Sequence, residues 1–154
     1  MRKWTVVGML AAAIGLMAIA VPHARADGSP AGEGANACYQ LYAGGQLAGA
    51  TPLVVNAKYN VGNPASVLVA GDCSGGAISF VDDGLTVTLS NPTGGGGSLH
   101  QNFFNFCGGS NNGGPALDVT ALFKPGTNSF SLTLTNECGG TVFAPALFLV
   151  VRQH

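Results

Sequence analysis

The sequence predicts an all-β domain, an antiparallel β-sandwich of about eight strands. Three observations carry this reading. Phe130, Leu132 and Leu134 alternate with Ser129, Ser131, Thr133 and Thr135, and Leu85, Val87 and Leu89 alternate with Thr86, Thr88 and Ser90. A period of two puts apolar side chains on one face of a strand and hydroxyls on the other. Turn formers recur at short intervals, at Gly44-Gly45, Asp82-Asp83-Gly84 and Pro125-Gly126, where Pro presets one central φ and Gly accepts a positive one. Finally, no heptad, amphipathic helix or repeat of fixed period competes with these signals.

In chain order, Arg2 and Lys3 precede an apolar run from Val6 to Val21, which Pro22 ends. Ala24-Arg25-Ala26 then fits a small-x-small cleavage site, so residues 1–26 read as a signal peptide cut after Ala26. The run is shorter than the roughly 20 residues of a spanning helix, which argues against an uncleaved anchor. No membrane span is expected after cleavage. The remaining chain, Asp27 to His154, has 128 residues, enough for one domain with a real core. Its seven acids against Lys58, Lys124 and Arg152 leave a net charge of −4, which argues against nucleic acid as a partner.

Residues 27–37 are rich in Gly, Ser, Pro and Ala and read as a flexible leader to a domain over 38–154. Strands are expected at Cys38–Ala43, Leu53–Tyr59, Ser66–Ala70, Ala77–Val81, Leu85–Ser90 and Leu99–Cys107. A short Asp118–Thr120 strand, a corner at Ala121–Lys124 and the long Ser129–Thr135 strand follow. The closing run, Thr141–Arg152, is apolar on both faces from Leu147 to Val151, which places it centrally; Pro145, lacking an N–H, marks a bulge or edge. The glycine-rich stretches Gly94–Gly97 and Gly108–Gly114 lack the Lys and following helix of a phosphate cradle and read as connectors.

Cys38, Cys73, Cys107 and Cys138 all follow the signal. An even count in an exported chain reads as two disulfides with three possible connectivities. No C-x-x-C pair occurs, which argues against zinc. The expected location is secreted, or the exterior of the cell envelope.

Two segments, FVDDGLTVTLSNPTGG (Phe80–Gly95) and LDVTALFKPGTNSFSLTLTNECGG (Leu117–Gly140), resemble galactose-binding-domain-like jelly-roll sandwiches, with CYQLYAGG as a weaker echo. The resemblance implies a jelly-roll-like fold of the kind found as accessory modules of secreted bacterial proteins. It carries over no ligand residue, because the sugar-binding loops of such modules vary. In such a topology, if the Asp118–Thr120 and Ser129–Thr135 strands run antiparallel across the Pro125-Gly126 corner, their outer ends are neighbours. Cys107 then pairs with Cys138, leaving Cys38 with Cys73.

Site candidates are few. Asp82 and Asp83 are the one adjacent carboxylate pair. Neighbours on a strand point to opposite faces, which does not suit a glycosidase. They read as turn chemistry, with Ca²⁺ ligation as the alternative. Asp118 is expected to accept backbone N–H bonds at its corner, with Thr120 and Asn128 serving the same bend. His100, Asn102, Phe103 and Phe104 form the binding candidate, since one ring of the Phe pair is expected to leave the core side beside amides, an arrangement that suits a sugar. The alternative is that both rings are buried. No G-x-S-x-G elbow or other catalytic motif occurs. The expected function is therefore non-catalytic binding of extracellular or cell-wall carbohydrate. A structural or adhesive surface protein is the alternative, and a hydrolase with an unrecognised site the weaker one.

Overall fold

The computed structural model describes residues 36–79, 81, 84–103, 107 and 112–154. Their strands are β1 (Ala37–Tyr42), β2 (Gly45–Ala48), β3 (Leu53–Asn60), β4 (Pro64–Ala70), β5 (Ile78–Ser79), β6 (Leu85–Ser90), β7 (Ser98–Phe103), β8 (Gly113–Gly114), β9 (Leu117–Asp118), β10 (Thr127–Asn136), β11 (Thr141–Ala144) and β12 (Leu147–Gln153). Among the described residues a 3-10 turn spans Thr120–Leu122. Eight of the strands make two four-stranded sheets, β1-β12-β4-β9 and β3-β10-β6-β7, and the others make two-stranded ladders, β11-β2 and β5-β8. Every pairing is antiparallel. The chain is an all-β antiparallel sandwich, as the alternation predicts. Among the described residues no helix is long and apolar enough to cross a membrane.

β10 organises one sheet, with β3 on one side and β6 on the other. Phe130, Leu132 and Leu134 point inward and meet Val67, Val69, Leu147, Leu149 and Val151 of the opposite sheet in one apolar core. Full burial of each such side chain contributes about 1.5–3 kcal/mol, so the period-two pattern is the main source of stability. β12 lies between β1 and β4, as its two-faced apolar run predicts. Its outer face joins Val150 to Cys38 and Ala70, with Phe148 and Leu68 packed alongside.

The loop after β4 folds back over that outer face. The Cys38–Cys73 disulfide ties it down, and Arg152 donates to the Ser74 carbonyl at 2.7 Å. Asp72 shapes the loop by accepting from the Ser74 hydroxyl (2.6 Å), the Ser74 N–H (2.8 Å) and the Gly76 N–H (3.0 Å). These bonds, the Ser74 hydroxyl first, hold its carboxyl below the ordinary range.

Both expected disulfides form, Cys38–Cys73 and Cys107–Cys138, with Cα separations of 5.5 and 5.4 Å. They close loops spanning 35 and 31 residues, each worth about 3–4 kcal/mol by loop-closure entropy. Two disulfides are compatible with an oxidising, extracellular setting. The reason for the second pairing differs from the one expected, because β9 does not lie beside β10. It pairs with β4 in the other sheet, and the Ala121–Lys124 corner carries the chain across the sandwich. The cysteines meet because Leu85 of β6 faces both Phe103 of β7 and Asn136 of β10. Both flanking strands therefore end beside the start of β6.

Other expected elements change shape. The Thr141–Arg152 run is two strands in different sheets, parted at Pro145-Ala146, where proline removes a ladder donor. β2 and β8 fall where the sequence suggests only turn and loop, because glycines at Gly45, Gly113 and Gly114 mask their pairing. Within the expected Ala77–Val81 strand, Ile78–Ser79 pair with β8, while Phe80 lies outside the described residues. At the corner, Asp118 behaves as expected: Oδ1 accepts from the Thr120 N–H at 3.0 Å and its hydroxyl at 2.6 Å.

Candidate functional site: the hydroxyl face of the β3-β10-β6-β7 sheet

The alternation that buries Phe130, Leu132 and Leu134 turns Ser129, Ser131, Thr133 and Thr135 outward. Pairing with β3, β6 and β7 extends this into rows across the sheet. Asn56, Ser131, Ser90 and Ser98 stand in one row, Val54, Thr133, Thr88 and His100 in the next, and Thr135, Thr86 and Asn102 in a third. Lys58 stands beside Ser129. At normal strand spacing the four strands span about 14 Å, with rows about 7 Å apart. The result is a nearly uncharged surface, mostly of hydroxyls and amides able to donate and accept, with Val54 exposed among them and the Thr86 hydroxyl oxygen buried without a hydrogen-bond partner.

A groove of about 430 Å³ crosses one end of this face, lined by Asn56, Lys58, Ser129, Ser131 and Pro92 among others. No hydrogen bond or ion pair within the described residues engages the side chains of Asn56, Lys58, Ser129 or Ser131. The wall at Pro92 is fixed from below by two buried amides. The Asn91 side chain donates to Asn128 Oδ1 at 3.0 Å and accepts from the Thr93 and Gly94 N–H groups at 3.2 and 2.9 Å. Asn128 donates in turn to the Lys124 and Gly126 carbonyls at 2.9 and 3.0 Å. The Thr93 hydroxyl accepts from the Ser129 N–H at 2.7 Å, joining the loop to β10. The Asn91–Gly97 loop is therefore fixed to the β10 corner where the groove opens.

His100 and Asn102 are exposed on this same face, on edge strand β7. Phe103 is a correction. Opposite Leu85 it turns inward and is 1% exposed, so it is a core ring and offers nothing to a ligand. Phe104, Asp82 and Asp83 lie outside the described residues. Among the described residues no group of three or more His, Cys, Asp or Glu side chains could hold a metal ion. Elsewhere Tyr39 stacks on Tyr59, ring centroids 4.1 Å apart and planes 9° from parallel. Burial, and then the neighbouring Tyr39, push the Tyr59 phenol up from its ordinary value.

Sequence reasoning overlooked Asn56, Lys58 and Pro92. The signal for the first two was present, because LVVNAKY puts Val54, Asn56 and Lys58 on one face of a strand. That this face lies beside Ser129 and Ser131 follows only from the register. Comparison with family models, curated proteins and solved structures finds no match for this chain.

Proposed function

We propose that this chain is a secreted, non-catalytic binding module whose hydroxyl face takes extracellular or cell-wall carbohydrate. The observation that supports the reading is the convergence of unengaged neutral donors and acceptors (Asn56, Ser129 and Ser131) on a groove walled by Pro92. Sugar hydroxyls need such two-way partners, and a pyrrolidine ring offers apolar contact to the C–H face of a pyranose. His100 and Asn102 would extend contact along the polymer across β7. The resemblance to galactose-binding-like jelly rolls supports the same reading by analogy of fold.

Polysaccharide pull-down with the purified domain tests it. The expected result is saturable binding that weakens about tenfold in the Asn56→Ala, Ser131→Val double variant. Two lost hydrogen bonds at about 0.5–1.5 kcal/mol each give that factor. Absence of binding to any polysaccharide would remove the proposal. One observation favours a second reading, self-association at a cell surface: Val54 is 52% exposed and Leu53 36% exposed on edge strand β3. Sedimentation that becomes heavier with concentration, in protein that binds no glycan, would support it.

A further inference from the structure

We infer that the polymer is acidic, its sugar rings carrying carboxylate or sulfate groups, and that Lys58 is the residue that selects it. The inference rests on the carbohydrate reading above and narrows its substrate class. Lys58 is the single lysine or arginine on the described hydroxyl face, and it lies in the groove. Among the described residues no acid stands on that face. Among the described residues the carboxylates are Asp72, in the loop over the outer face of the other sheet, Asp118, on β9 of that sheet, and Glu137, in the bend after β10. Lys58 accordingly has no ion-pair partner among the described residues.

The neighbours suit the same chemistry. An ammonium beside the Asn56 amide and the Ser129 and Ser131 hydroxyls offers one charged donor set for an anionic substituent and neutral partners for ring hydroxyls. The chain that follows the expected cleavage after Ala26 carries a net charge of −4, so general attraction does not explain retention of a polyanion. Retention would have to come from this groove. An exposed lysine contact contributes modestly, about two- to fivefold in affinity per site.

Co-sedimentation with polygalacturonate, dextran sulfate and neutral dextran separates the outcomes, at salt between about 0.05 and 0.3 M. The expected result is that at least one acidic polymer binds about fivefold tighter than dextran at low salt. That preference should shrink as salt rises, vanish in Lys58→Gln and persist in Lys58→Arg, with the thermal midpoint of both variants unchanged. Which acidic polymer is retained tells carboxylate from sulfate. Equal binding of dextran and acidic polymers, or a preference untouched in Lys58→Gln, would overturn the inference while leaving the carbohydrate reading standing. Failure of all three polymers and of the wider pull-down panel would remove both.

Discussion

Asn128→Ala is expected to lower the stability of the domain by about 3–5 kcal/mol, the largest effect of any single polar substitution here. Asn128 is fully buried. It donates to the carbonyls of Lys124 and Gly126 and accepts from the Lys124 N–H and the Asn91 amide, at distances between 2.9 and 3.3 Å. Alanine removes all four bonds, leaves the buried Asn91 amide without its acceptor and opens the Lys124–Gly126 corner, whose carbonyls are part-buried, at about 1–3 kcal/mol for each group that water does not reach. Thermal melting checks it, with an expected drop of roughly 10–20 °C. Asn56→Ala is the contrast. Asn56 is an exposed asparagine with no bond to lose, so its substitution should stay within about 0.5 kcal/mol. Equal effects of the two would show that the buried amides do not hold the corner.

Gly84→Val should produce the second large loss, together with a chemical signature. Gly84 has φ +95° and hands the chain into β6 between the ends of β7 and β10, where its N–H donates to the Phe103 carbonyl at 3.1 Å. A Cβ at this position overlaps Cys138 Sγ. The substitution therefore carries a left-handed backbone cost of about 1–3 kcal/mol and opposes closure of Cys107–Cys138, whose loop is worth about 3–4 kcal/mol. Purified variant protein should show free thiol by reagent titration where the wild type shows none. With both Cys107 and Cys138 replaced by serine, the added cost of Gly84→Val should fall to the backbone part alone, because the two sites couple. An undiminished cost in that background would mean that the overlap with sulfur is not the cause.

These two sites differ in how far the sequence reveals them. The amphipathic strands β6 and β10 are legible because one buried face forces strict alternation, and β12 is legible because both its faces are covered. Asp118 and the Pro125-Gly126 turn are local chemistry, readable within a few residues. What stays hidden is everything set by pairing between distant segments. β9 crosses to the other sheet because a corner of a few residues can lead to either layer. β2 and β8 are held by backbone ladders that glycines do not advertise. Phe103 and His100 follow the period-two rule on β7, yet which parity faces the core depends on the register with Leu85. The groove is the extreme case, since Lys58, Pro92 and Ser131 are separated in sequence and brought together by β10 pairing and the amide-fixed loop.

The hydroxyl face as the contact surface is tested most directly by mapping backbone amide shifts in the folded, oxidised domain while a soluble oligosaccharide from a retained polysaccharide is added. The account predicts that the perturbed amides cluster at residues 54–58, 86–90, 98–102 and 129–135, strongest around Asn56, Lys58 and Ser131. Perturbations gathered instead on β1, β4 and β12, or on the β2-β11 ladder with the hydroxyl face silent, would contradict it.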